Sequence, residues 1–177
     1  MTRSSYPARG TVDEFGVPDT ILGPHPEEVF SGIGRAVALS ALFEERLRAP
    51  LQALRRKDQT AFAKLRASEL VAELGTATAT LCAEDLDWVG FPKFLGRATQ
   101  AFLYRNVLVH SLWPAQDDGS LFGHRTNQKT GERLMTTTSM GEVRGAISEL
   151  VNLTEEWRVW FAYVGSRASN RLRPASA

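Results

Sequence analysis

Apolar side chains recur every three or four residues in four stretches of this chain, a spacing that places them on one face of an α-helix. The first stretch begins near Glu27 and ends at about Arg48, because Pro50 interrupts helical hydrogen bonding. Its predicted inner stripe consists of Ile33, Val37, Ser40, Glu44, Leu47, Leu51 and Leu54. A carboxylate, that of Glu44, therefore interrupts the row that we expect to face the core.

Three further helices are predicted from the same periodicity and from residues that favour helix ends. The second spans about 58–75, the third runs from 92 to 114 between two prolines, and the fourth covers about 139–164. The fourth opens with a capping box, in which Ser139 and Glu142 satisfy each other's backbone groups.

The limits of the second helix are predicted from single residues. Asp58 suits the cap at its start, and Gly75 is expected to end it. Residues 76–88 fit either further helical turns or a crossover of the bundle.

Between the third and fourth helices the pattern changes to that of β-strands. Residues 121–125 and 132–137 flank Asn-Gln-Lys-Thr-Gly, a segment typical of a hairpin turn. An isolated hairpin is only marginally stable, so it must pack on the helices. We therefore predict an all-α fold, an antiparallel bundle of about four main helices with a small β-hairpin inserted between helices three and four.

The chain of 177 residues suits one domain with a sizeable core. Residues 1–26 contain four prolines and no sustained periodicity, so we predict an extended arm there. Residues 27–165 form the helical domain, and residues 166–177 are expected to be a flexible basic tail.

The charge balance excludes a protein that coats nucleic acid through a general basic field. The chain has 21 Lys and Arg against 20 Asp and Glu, so any contact with RNA must be local. Arginine outnumbers lysine 17 to 4, which supplies planar forks for phosphate but is equally explained by GC-rich codon usage.

The remaining composition sets the expected environment. The single cysteine, Cys82, cannot form an internal disulfide, and three scattered histidines do not have the spacing of metal ligands. We therefore expect no metal ion and no cofactor. No stretch is apolar enough to span a bilayer, which favours a cytoplasmic protein without a membrane partner.

The predicted third helix contains the most unusual polar residues. Arg105 and Asn106 each interrupt one of its two apolar rows, and a buried polar group without a partner costs free energy. Asn106 and His110 are four residues apart and share a face, whereas Arg105 and His110 diverge by about 140 degrees around the axis. The long arginine side chain can close part of this gap, and a second copy of the helix across a two-fold axis could close it better.

The string YRNVLVHSLW, residues 104–113, resembles the R-N-x-x-x-H form of the HEPN-domain motif. In sequence the resemblance covers this helix only, and in architecture it covers the bundle over residues 27–165. It implies a homodimeric ribonuclease that needs no metal ion, acts on RNA, and serves as a toxin or phage-defence effector. An antitoxin or regulatory protein would be a further partner.

The resemblance also implies roles for individual residues. His110 would transfer protons, as histidine does near neutral pH, and Arg105 would bind the phosphate and stabilise its developing charge. Asn106 would orient His110 or the phosphate. Glu44 would hold Arg105 in place, an interpretation that depends on both residues being polar members of facing stripes.

Two other interpretations remain open at this stage. Arg105, Asn106 and His110 fit a structural polar network in a non-catalytic HEPN-like module that binds a protein partner or a nucleotide. Alternatively, the exposed edge of the hairpin pairs with another chain. Glu44 also fits a solvated helix face or an ordinary salt bridge.

Several other charged residues have two interpretations as well. Basic residues are frequent around the first loop, and they fit either an RNA-facing ridge or a solvated surface: Arg46, Arg48, Arg55, Arg56, Lys57, Lys64 and Arg66. His25 and His124 are expected on the surface.

Overall fold

The computed structural model describes residues 11–12, 14–18, 25, 27–55, 62–84, 86–113, 120–127 and 130–170. Over these ranges the chain forms four α-helices and one antiparallel hairpin. The elements are α1 (Glu27–Arg55), α2 (Ala67–Glu84), α3 (Phe91–His110), β1 (Leu121–Thr126), β2 (Arg133–Thr138) and α4 (Met140–Asn170), with a short 3-10 turn at Leu86–Trp88. The predicted fold class, a helical bundle with a hairpin between the third and fourth helices, is confirmed.

Helix α1 continues beyond the predicted end at Arg48 and includes Pro50. Proline inside a helix costs about 3 kcal/mol. Pro50 is buried together with Leu47 and Leu51, and this packing offsets the lost hydrogen bond.

The predicted inner stripe of α1 is wrong in its first half. Val37 is 38% exposed and Ile33 only half-buried, and the buried face is formed by Val29, Gly32, Ala36, Ser40, Phe43, Leu47, Pro50 and Leu51. Gly32 lies against α4, where an added Cβ would be 3.0 Å from Val143 Cγ1. Small residues give little hydrophobic signal in a sequence, yet they permit this close approach of two helices.

Helix α2 also differs from its prediction. It begins at Ala67 rather than near 58, and its first turn includes Glu69, whose Oε2 accepts a hydrogen bond from the backbone N–H of Arg66 at 2.7 Å. Asp58, the predicted cap, lies outside the described residues. The helix passes through Gly75, because Leu74 and Thr78 on either side of it are fully buried and hold the segment in place.

Helix α3 lies between its neighbours and runs antiparallel to α4. Phe91 and Phe94 near its start stack on Trp157, which belongs to the second half of α4, with ring centroids 6.4 and 5.8 Å apart. On the first helix Phe43 stacks on Phe102 at 5.6 Å. An aromatic core therefore fixes the first part of α3, and its last turns reach the opposite end of the bundle.

Helices α1 and α4 run in the same direction. Gly32 faces Val143 near the start of both helices, and further along the backbone carbonyl of Arg46 accepts a hydrogen bond from Trp157 Nε1 at 3.1 Å. The chain therefore has to return before α4 begins, and α3, which runs in the opposite direction, provides this path.

The hairpin packs on the end of α3, as its marginal stability requires. Leu112 and His124 exchange two backbone hydrogen bonds of 2.8 and 3.0 Å, so the chain leaving α3 pairs with β1. The indole of Trp113 covers Gly123 so closely that an added Cβ would lie 2.6 Å from the ring. The two strands pair from Leu121↔Thr138 to Thr126↔Arg133.

Helix α4 begins as predicted and ends later. Ser139 N–H donates to Glu142 Oε2 at 2.9 Å and Glu142 N–H donates to Ser139 Oγ at 3.2 Å, which confirms the capping box. The backbone stays helical to Asn170, into the segment predicted as a flexible tail. The buried side chain of Val164 shows that the packed face continues up to the predicted end of the helix.

Most of the predicted arm lies outside the described residues. Where the arm is described, Val12 and Pro18 form an antiparallel bridge around a turn with Gly16 at φ 81°, so this part folds back on itself and is not simply extended. Within the described ranges, every helix is too short or too polar to cross a bilayer.

Candidate functional site

A cleft of about 620 Å³ lies where the last turns of α3 meet α1, the start of α2 and β1. This volume is in the range typical of ligand-binding sites, about 300–1,000 Å³. The lining residues come from four separate parts of the chain: Glu44, Arg48, Ala63, Leu65, Arg66, Ala67, Ser68, Arg105, Asn106, His110 and Arg125. All four residues singled out in the sequence, namely Arg105, Asn106, His110 and Glu44, are therefore in one cleft.

Arg105 is half-buried at the edge of this cleft. Its side chain is 21% exposed, and its Nη2 atom lies 3.6 Å from Glu44 Oε2. Its Nε atom is buried and has no hydrogen-bond partner among the described residues. Glu44 therefore sets the direction of the guanidinium group, while a donor of that group stays unsatisfied.

Glu44 divides its carboxylate between two arginines. Oε1 accepts a hydrogen bond from Arg48 Nη2 at 2.5 Å, and Oε2 faces Arg105. Arg48 also donates to the backbone carbonyls of Phe62 and Leu65, at 3.3 and 3.4 Å. These contacts join α1, α3 and the segment that precedes α2, so Glu44 belongs to a half-buried network and not to a solvated face.

Asn106 and His110 complete the α3 side of the cleft. Asn106 is half-buried, and His110, the last residue of the helix, is exposed. Although Arg105 and His110 diverge around the helix axis, both residues are among the lining of this one cleft within a single chain.

The charges lining this cleft are mostly positive. Four arginines, at positions 48, 66, 105 and 125, and one histidine face a single carboxylate, that of Glu44. Guanidinium groups bind phosphate through paired hydrogen bonds, which makes such a cleft suited to a phosphorylated ligand. The chain as a whole carries a net charge of only +1, so this charge is local.

Tyr104, the residue before Arg105, connects α3 to the hairpin. Its hydroxyl lies 2.5 Å from Thr138 Oγ1, which itself donates to Glu142 Oε2 at 2.9 Å, so the tyrosine is the donor in this chain of hydrogen bonds. Burial, and to a smaller extent the charge of Glu142, raises the pKa of Tyr104 above its ordinary value of 10.0, while the bond to Thr138 lowers it. Tyr104 thus ties the last turns of α3 to the end of β2 and the start of α4.

Arg125 is a lining residue that the sequence did not predict. Arg48 and Arg66 were members of the basic run interpreted as either an RNA-facing ridge or solvated surface, and these two line the cleft. Arg125 lies in β1, and the only sequence signal for it is that the hairpin directly follows the motif helix. Its place in the cleft depends on the pairing of Leu112 with His124, which no local pattern indicates.

The other two histidines are not among the residues that line the cleft. His25, expected on the surface, is half-buried; its Nε2 atom lies 2.5 Å from the carbonyl oxygen of Trp113, and its ring packs edge-on against Phe30. His124 is also half-buried, in β1. Across the described part of the chain, no three His, Cys, Asp or Glu side chains are grouped so as to hold a metal ion.

Comparison of the chain with family models, with curated proteins and with solved structures finds no match. The resemblance to HEPN domains therefore stays a prediction from the motif at residues 105–110.

Proposed function

We propose that this protein is a metal-independent endoribonuclease of the HEPN type, which cleaves RNA through the 2′-hydroxyl group of its substrate. The observation that carries the proposal is that Arg105, Asn106 and His110 line one open cleft in which arginines predominate. A site of this kind can bind a phosphodiester and exchange protons with it.

The reaction needs little chemistry from the protein, because RNA contains its own nucleophile. His110 accepts the proton of the 2′-hydroxyl while the 2′-oxygen forms a bond to phosphorus. The bond from phosphorus to the 5′-oxygen breaks, and the leaving oxygen takes a proton from the imidazolium or from water. The products are a 2′,3′-cyclic phosphate and a free 5′-hydroxyl, with no net consumption of protons.

Arg105 is the group that binds the scissile phosphate. The Arg105 side chain is 21% exposed and Glu44 holds its Nη2 side, so the guanidinium is in place to meet negative charge that develops on a phosphate in the cleft. Its Nε atom is buried, and a buried donor without a partner costs about 1–3 kcal/mol, so a turn of the guanidinium that brings Nε to a phosphate oxygen would be favourable. Asn106 orients His110 or a phosphate oxygen from the same face of α3.

The biological setting is the part of the proposal that the HEPN resemblance alone supports. It comprises a cytoplasmic homodimer, a role as toxin or phage-defence effector, and control by an antitoxin or another regulatory protein.

A second candidate function is a helical module that binds a nucleotide or a protein partner without cleaving anything. The ion pairs of Glu44 with Arg48 and Arg105 favour it, since they would stabilise a purely structural network in the same way. The two functions differ in turnover, which makes them separable by one assay.

That assay uses the full chain in excess chelator with single-stranded RNA, transfer RNA and a DNA strand of the same sequence. We expect cleavage of RNA only, with cyclic phosphate ends, and loss of cleavage by a factor of about 10² or more in His110→Ala and Arg105→Ala. His124→Ala is the matched control, because it removes a histidine outside the cleft. RNA that stays intact, or variants as active as the parent chain, would exclude the enzymatic function.

A further inference from the structure

The hairpin contributes an arginine to the cleft. β1 is fixed beside the end of α3 by the two backbone hydrogen bonds between His124 and Leu112, only two residues after His110. Arg125 follows His124 directly and pairs across the hairpin with Leu134. Adjacent residues of a strand point to opposite faces, so Arg125 lies on the face shared with the buried residues Leu121 and Gly123. Of these three residues, Arg125 lines the cleft.

The start of α2 contributes a second arginine from another wall. Arg66 precedes the first helical residue, and its backbone N–H is held by Glu69. Among the described residues, neither the Arg66 nor the Arg125 guanidinium forms an ion pair, whereas Arg48 and Arg105 share Glu44. The cleft therefore contains two cations whose charge no described carboxylate offsets, on elements other than the motif helix.

We infer that Arg66 and Arg125 form a second phosphate-binding subsite, which holds phosphates next to the scissile one. Like charges in one cleft repel each other, and a polyanion between them removes that repulsion. A single phosphate would be bound by Arg105 alone, whereas four arginines from two helices, the segment before α2 and a strand match a ligand with several phosphates. The substrate class is thus an RNA strand that spans more than one internucleotide linkage. This inference rests on the proposed function only in placing the scissile phosphate at Arg105.

Binding is measured apart from cleavage, in the His110→Ala background, by fluorescence anisotropy of a labelled single-stranded RNA hexamer at several salt concentrations. Arg66→Gln and Arg125→Gln are each expected to weaken binding by about tenfold and to lower the slope of log Kd against log salt by about 0.7. For a dinucleotide with one internal phosphate, the same substitutions are expected to change Kd less than twofold, about the scatter of such measurements.

Two further variants make this test specific. Arg133→Gln removes an exposed arginine of β2 outside the cleft and is expected to leave the salt slope unchanged. Arg125→Lys retains the charge, so its salt slope is expected to match that of the parent chain. If Arg125→Gln acted only by unfolding the hairpin, a lysine at this position would not restore the slope.

The outcomes separate the subsite from the catalytic proposal. If the parent chain cleaves RNA but Arg66→Gln and Arg125→Gln bind the hexamer like Arg133→Gln, the subsite is excluded and the ribonuclease proposal stands. If the variants bind the hexamer with the expected salt slopes but the parent chain never cleaves RNA, the subsite stands and the ribonuclease proposal fails. An equal loss of affinity for the dinucleotide and the hexamer would also overturn the subsite.

Discussion

At the scale of single residues, Glu44 determines how the motif arginine is presented. Its carboxylate lies between Arg48 and Arg105, all three side chains being 15–21% exposed. An ion pair at this depth is screened less by solvent than one on the surface. Loss of the Glu44 charge therefore weakens the interactions of both guanidinium groups.

We therefore expect Glu44→Gln to slow RNA cleavage by about tenfold and to lower the free energy of unfolding by about 1 kcal/mol. Cleavage kinetics and thermal unfolding would measure the two effects. Glu45→Gln is the matched control, since Glu45 also contacts Arg48, at 3.3 Å, but its side chain is 78% exposed. A cleavage rate that falls equally in both variants would contradict the positioning role of Glu44.

The raised pKa of Tyr104 makes the free energy of unfolding depend on pH. Because the folded protein raises its pKa above 10.0, the unfolded chain releases this proton first as pH increases. The contribution of Tyr104 is complete below about pH 10 and is lost as pH rises through the raised pKa. Denaturant unfolding should show a shallower decline above pH 10 in Tyr104→Phe than in the parent chain.

The control for this measurement is Tyr163→Phe, because Tyr163 is 37% exposed near the other end of α4. It should retain the decline of the parent chain. Identical slopes for Tyr104→Phe and the parent chain would mean that Tyr104 ionises equally easily in both states.

At the scale of elements, α1 shows how the face of a helix is decided. The alternating spacing that includes Val37 and the one that includes Phe43 are both present in the sequence. Phe43 is fully buried because it can stack on Phe102 and meet Phe94 edge-on, and Val37 has no comparable place in the core.

Alanine substitutions at these two positions test that assignment. Phe43→Ala should lower the free energy of unfolding by about 3–5 kcal/mol, because it leaves a cavity in the core. Val37→Ala should change it by about 0.5 kcal/mol or less, as is usual for surface positions. Equal losses in thermal or denaturant unfolding would support the stripe predicted from the sequence.

The hairpin is positioned by the contact of Gly123 with Trp113. Gly123→Ala places a Cβ about where the indole lies, so we expect a loss of about 1–3 kcal/mol from overpacking, together with a change in tryptophan fluorescence. Gly96→Ala is the control: its Cβ would meet nothing within 4 Å, and alanine favours a helix, so stability should be equal or slightly higher. A Gly123→Ala chain as stable as the control would show that the ring can move freely.

At the scale of the whole molecule, α3 connects two regions of different character. Its first half lies in an aromatic core with α1 and α4, and its last turns form a polar cleft with α1, α2 and β1. The rigid part of the helix thus supports the part that faces solvent, which is an arrangement suited to a site that must hold its side chains in place.

Because one chain brings the three motif residues to one cleft, we expect the site to be complete within each subunit. Mixing Arg105→Ala with His110→Ala protein, after denaturation and refolding together, should then give no recovery of RNA cleavage. A mixture of two His110→Ala preparations is the control. Partial recovery in the first mixture alone would instead show that the two residues act from different copies of the chain.

Features that depend on neighbouring residues could be predicted from the amino-acid sequence. The helix that carries Arg105, Asn106 and His110 follows from periodicity, and the capping box of Ser139 and Glu142 follows from their spacing. The hairpin follows from alternation around a glycine-containing turn, in which Gly131 has φ 72°. Such features are local because helical turns, caps and tight turns are closed by hydrogen bonds between residues close together in the chain.

Which of these segments lie close together depends on tertiary contacts, which the local sequence does not show. The buried face of α1 depends on the close approach of Gly32 to α4, and the passage of α2 through Gly75 depends on packing on both sides of that residue. The cleft joins Arg66, Arg105 and Arg125, which lie on three elements and are brought together by contacts over long stretches of chain. The free energy of those contacts comes from burial and shape complementarity. The spacing of residues along one helix predicts neither of them.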